Sequence, residues 1–248
     1  MFTRRQRRAE PEGPYYKQRS WQVSAGFLAV VLVVGGVVAL TTDRDETSTA
    51  TAVSDGGPLS GTPVAQGARP AGCRTDDSAG PALPTAAPKD VSWRTLDVTR
   101  VPVSASAGPT RTSGAVWWCF AHTPTGAALA AHIIPSQMSG PNWRTVTKEQ
   151  VVAGRGRDLF VSQRSTVRDS TGPRTPATAT YAGFAISSYR GSAADVNLLI
   201  KTTSGYATTT VGLKWSDGDW KVLPSGDGAL HTEVQTVTAT NGFLMWGV

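Results

Sequence analysis

The chain has 248 residues, 17% of them charged and 40% hydrophobic, with a net charge of +6. That is room for one domain of ordinary size plus accessory segments, and two cysteines outside any CxxC spacing with three scattered histidines fall short of a structural zinc site. The charge does not point to a nucleic-acid binder either: residues 1–22 carry Arg4, Arg5, Arg7, Arg8, Lys17 and Arg19 against Glu10 and Glu12, which is +4 and leaves +2 for the other 226 residues.

That basic tail leads into VSAGFLAVVLVVGGVVAL, residues 23–40, a run without a charge. As a helix it is about 27 Å long, close to the hydrocarbon thickness of a bilayer. A helix is the form in which an isolated segment satisfies its own backbone in lipid. Arginines before the run and Asp43, Asp45 and Glu46 after it place the N-terminus in the cytoplasm and the rest outside. A cleaved signal peptide is the rival reading, with Val37-Val38-Ala39 as the small-residue site. Both readings put residues 41–248 across the membrane.

Residues 41–89 read as a flexible Thr/Pro/Gly/Ala-rich tether, too poor in apolar side chains through 41–72 to offset the entropy of ordering. Cys73 lies in its later, Pro/Ala-rich part, which is expected along the domain surface if the cysteine is bonded. Cys73 and Cys119 are either buried free thiols or, outside the cytoplasm, a disulfide.

The folded domain is expected over 90–248. Val91–Val98 is strand-like, 106–110 is a turn, and Val116–Phe120 is a dense apolar patch, extended or at a junction. Thr123 as N-cap and Pro124 at the first helical position predict a helix to about Ile134, closed by Pro135. A second helix is predicted from the capping-box pair Thr147 and Gln150 through 164, weakened and open to splitting at Gly154 and Gly156. Four strands follow, over 177–190, 195–203, 206–215 and after the Asp217-Gly218 turn. In that hairpin Ser216 opposes Asp219, Trp215 opposes Trp220 and Leu213 opposes Val222, so the two indoles clamp the end of the sheet over a core. A ligand-stacking platform is the competing use of the pair. The fold class is therefore α+β: two helices on a curved four-stranded antiparallel sheet, cone-like, behind one transmembrane helix. After Asn241-Gly242, the residues Phe243, Leu244, Met245 and Trp246 either pack back onto the domain or form an exposed partner patch.

Two stretches carry a resemblance. CFAHTPTGAALAA at 119–131 and WSDGDWKVLPSGDG at 215–228, behind the basic tail, span and tether, resemble membrane proteins of actinobacterial plasmids and integrative conjugative elements. These are similar in layout to the inner-membrane assembly factors of type IV secretion and conjugation, whose periplasmic domain has the nuclear-transport-factor and ketosteroid-isomerase superfold. The resemblance implies a scaffold that oligomerises in a transfer channel, with no cofactor and no chemistry. The extended segment with Trp93, Trp117 and Trp118 departs from that pattern and leaves the topology before residue 122 open.

An enzyme of that superfold needs a carboxylate or histidine base in an apolar cone and a donor for an oxyanion. The candidates are His132 in the Ala-rich helix, His122, His231, Asp158 and Asp195, and no hydrolase elbow, zincin or P-loop motif is present. The reading is a non-enzymatic bitopic scaffold, with no catalytic, cofactor or metal residues. Its expected partners are membrane lipid, itself and other membrane proteins, with neither nucleic acid nor a small-molecule substrate. The alternatives are an accessory protein of a lipid-import system, or a ligand-binding or isomerase-like domain.

Overall fold

In the computed structural model, which describes residues 69–167 and 179–247, Thr123 opens the helix around which the domain is built. Thr123 is extended and its hydroxyl oxygen accepts the Gly126 N–H at 3.2 Å; Pro124 takes the first position of helix α1, Pro124–Ser136. Pro135 sits inside the last turn instead of closing it. Ten of the thirteen residues are buried, so α1 is covered on more than one side and needs no polar stripe. One cover is the β-sheet that follows it in the chain and the other is formed by strands that precede it. Gly126 marks the closest approach: a Cβ there would lie 2.0 Å from the Ala121 carbonyl oxygen.

Before α1 come two antiparallel hairpins, β1 (Val91–Leu96) with β2 (Thr99–Ser104), and β3 (Arg111–Ser113) with β4 (Val116–Trp118). Val101 and Val103 on β2, and Val116 and Trp118 on β4, are buried. After α1 the second predicted helix is two helices, α2 (Trp143–Gln150) and α3 (Arg155–Ser165), so three stand where two were expected. Gly154 has φ 136°, a conformation L side chains avoid, and it turns the chain between them. Thr147 and Gln150 form no capping box. Both are buried in α2, where the Thr147 hydroxyl donates to Met138 Sδ and the Gln150 amide to the Trp117 carbonyl.

The main sheet has six strands, not four. Strands β5 (Thr180–Tyr189), β6 (Ala193–Thr202), β7 (Gly205–Ser216) and β8 (Asp219–Val222) are the expected meander. The C-terminal stretch supplies the other two: β9 (Gln235–Val237) pairs with the start of β7, and β10 (Leu244–Met245) with Phe184 and Gly183 of β5. The pairing is antiparallel throughout the named strands, with a single parallel bridge from Val151 to Val222. The fold is mixed α+β. The core lies between α1 and the sheet face carrying Phe184, Val196, Leu198, Val211, Leu213 and Trp220.

The chain joins the domain earlier than position 90. Arg69 bonds to the Phe120 carbonyl, and the Asp76 N–H to Ser106 O at 2.9 Å, so residues 69–89 lie on the fold rather than in the tether. The basic tail, the apolar run 23–40 and residues 41–68 fall outside the described residues. Among the described residues no helix is long and apolar enough to cross a membrane.

Candidate functional site

The Asp217-Gly218 hairpin has the predicted register, with Ser216 opposite Asp219, Trp215 opposite Trp220 and Leu213 opposite Val222. Both turn residues have positive φ, 54° and 77°, which Asp and Gly tolerate and which matches the strand twist. Asp217 also pairs with Lys221. The indoles meet edge to face with centroids 5.3 Å apart. Trp220 is fully buried and its Nε1–H donates to Ala121 O at 2.9 Å. Trp215 is half-buried, with the His122 ring stacked on it at 3.9 Å and the Arg69 guanidinium over it at 5.3 Å. Its outer face is therefore already covered from two directions.

The residue that organises this corner is Asp219, which the sequence shows only as the partner of Ser216. It is fully enclosed beside Trp220. One carboxylate oxygen accepts the Cys119 N–H at 2.7 Å, and the other accepts those of Phe120 and Trp220 at 2.9 Å. Cys119 has φ 71°, and its N–H would be orphaned without this acceptor. Burial pushes the Asp219 carboxyl up to about 6, while the three N–H groups and the Arg69 charge act in the opposite direction. The motif 119–126 and the hairpin motif are thus one unit: backbone donors of the first fill the carboxylate of the second, and the indole of the second fills a carbonyl of the first.

Cys73 and Cys119 are joined in a disulfide, with Cα atoms 5.3 Å apart. Arg69 bridges the same corner, donating to Cys73 Sγ at 3.0 Å, to Thr75 and to Asp77, whose other oxygen accepts the His122 N–H at 2.9 Å. Hydrogen bonds from Thr75 and His122 and the Arg69 charge outweigh partial burial and hold the Asp77 carboxyl below its ordinary range.

His132 is fully buried in α1 and faces the C-terminal residues instead of an open pocket. Its Nδ1 lies 2.7 Å from Ala128 O, and its Nε2 accepts the Trp246 indole N–H at 3.1 Å. Burial lowers its pKa to about 4, so the ring is neutral. Trp246 also stacks on Phe184 at 4.5 Å. The segment Phe243–Trp246 is accordingly split: Trp246 is core, Phe243 and Leu244 are half-buried, and Met245 is exposed. Asp195 and Asp158 are exposed on β6 and α3, and the His122 Nε2 is bonded to Gly191 O. Structure brings together none of the five candidate acid–base residues. Among the described residues no three His, Cys, Asp or Glu side chains could share a metal ion.

A cavity of about 470 Å³ lies where the sheet runs past the end of α1. Its walls are the last turn of α1, Phe160 and Gln163 of α3, Tyr181, Leu198 and Ile200 of the sheet, and residues 228–231 with Val234 beyond them.

A family model described as domain of unknown function DUF8175 matches residues 54–245. No curated protein and no solved structure matches the chain. The match takes in the cystine, the two hairpins before α1, the three helices of the described residues and the six-stranded sheet, and the chain therefore belongs to the DUF8175 family.

Proposed function

We propose that the chain is a non-enzymatic membrane scaffold: a single helix over residues 23–40 anchors it, and the α+β domain, tethered outside the cytoplasm, assembles with itself and other membrane proteins of a conjugative DNA-transfer apparatus. The observation that carries the placement is the Cys73–Cys119 cystine, a bond that persists in oxidising compartments and is rare in the cytosol. The charge asymmetry around the apolar run supports the same orientation. The non-enzymatic reading is supported by the use of the two ionisable groups that are fully buried among the described residues. Asp219 is filled by three backbone N–H donors, and His132 by a carbonyl and an indole. Neither has a proton-transfer partner of matched chemistry. The helix layer on one sheet face is compatible with a cone-like domain.

The test is deletion of the gene in a host carrying the element, with transfer frequency and detergent co-purification of the tagged chain as readouts. The expected result is loss of transfer, restored by the full chain, and recovery of the chain in a complex with other membrane proteins. Wild-type transfer without it, or a monomer with no membrane partner, would overturn the reading.

A further inference from the structure

The cavity beside α1 follows from a mismatch of lengths. Strand β6 has ten residues and spans about 33 Å, whereas the thirteen residues of α1 span about 20 Å. The inner row of β6 records the difference: Val196 and Leu198 are buried, but Ile200, further along, is half-buried. The resulting space, about 470 Å³, is in the range of small-molecule sites.

Its lining restricts what fits. None of the described side chains around it is Lys, Arg, Asp or Glu, so a charged ligand would lose hydration without meeting a carboxylate, ammonium or guanidinium; the one imidazole of the lining, His231, has its Nδ1 2.7 Å from Thr232 O. Phe160, Leu198, Ile200 and Leu230 offer apolar contact. The polar focus is Tyr181. The Ser136 hydroxyl donates to His132 O at 2.6 Å, which uses its one proton. In the 2.9 Å contact between Ser136 Oγ and Tyr181 OH the phenol is therefore the donor, and the Tyr181 oxygen keeps a lone pair to accept from a ligand. Burial raises the Tyr181 pKa, so the phenol keeps its proton at neutral pH. Gln163 donates its amide to Asp227 O at 2.9 Å, leaving its side-chain oxygen as a second acceptor at the rim.

We infer that this cavity is a binding site for an uncharged amphiphile, an apolar chain or ring bearing a hydroxyl group whose proton goes to Tyr181. The site does not depend on the membrane placement or on the assembly role, and either can fail without it.

The experiment uses the full purified chain, photolabelled with a diazirine-bearing long-chain alcohol and mapped by peptide mass spectrometry. Label is expected on peptides carrying Ile200 or Leu230, competed by decan-1-ol but not by decanoate or by the methyl ether of decanol, which lacks the donor. Tyr181→Phe, nearly isosteric, should weaken labelling about fivefold, the worth of one hydrogen bond. Ile200→Trp should fill the space and abolish labelling with cooperative thermal unfolding retained; if that variant does not fold, Tyr181→Phe alone decides. Label spread evenly over the surface, competition by decanoate as strong as by decanol, or full labelling of Tyr181→Phe would overturn the site.

Discussion

Asp219 and His132 are both enclosed, and burial moves their proton affinities in opposite senses. The folded Asp219 carboxyl, at about 6 against an ordinary 3.8, binds its proton more tightly than in the unfolded chain. Its contribution to stability is thus full below about pH 4 and lost as pH rises through 6. His132, at about 4 against an ordinary 6.5, binds its proton less tightly when folded. Its contribution is full above about pH 6.5 and lost as pH falls toward 4. Each shift is of order 3 kcal/mol, and over the shared window the two oppose. Wild-type stability is therefore expected to be nearly flat between pH 6.5 and 4. In Asp219→Asn the histidine acts alone, and denaturant unfolding should show stability falling by about 3 kcal/mol over that window. The same flat profile in the variant would show that Asp219 is ionised alike in both states. None of this coupling is legible in sequence, because the donors to Asp219 at Cys119 and Phe120 lie about a hundred residues away.

At the scale of elements, the signals that read correctly are local. Asp217-Gly218 between alternating apolar residues specifies its hairpin, and Thr123-Pro124 its helix start, since turn and cap chemistry act within four residues. The elements that read poorly are set by tertiary contact. Helix α2 begins at Trp143 without a side-chain cap, held by the burial of Trp143 and Val146. β9 and β10 exist because β7 and β5 offer them an edge. Gly154 lies between: its flexibility signal was visible, its decisive φ was not. A Cβ at Gly154 would meet nothing within 4 Å, so Gly154→Ala isolates the backbone cost. The expected loss is about 1–2 kcal/mol in thermal or denaturant unfolding; a neutral result would mean the α2–α3 connection relaxes freely. Trp246 tests the other class. Trp246→Ala removes a buried indole and the partner of His132 Nε2, and should cost about 3–5 kcal/mol. Unchanged stability would instead favour an exposed role for the C-terminal residues.

For the whole molecule, the cystine ties Cys73, near the start of the described residues, to the corner where both sequence motifs meet. It closes a loop with a sequence separation of 46, and Cys73→Ser with Cys119→Ser should cost about 2–4 kcal/mol by denaturant unfolding under oxidising conditions. No difference from the wild type would mean that Arg69 and Asp219 hold the corner unaided. The bond is also what ties the fold to a compartment. The most direct measurement is therefore made in living cells: a C-terminal reporter active only outside the cytoplasm, combined with acid quenching and thiol trapping of Cys73 and Cys119. The expected result is an active reporter in the membrane fraction and two cysteines protected from the trap until reduced. A silent reporter on a chain whose two thiols are trapped without reductant would contradict it.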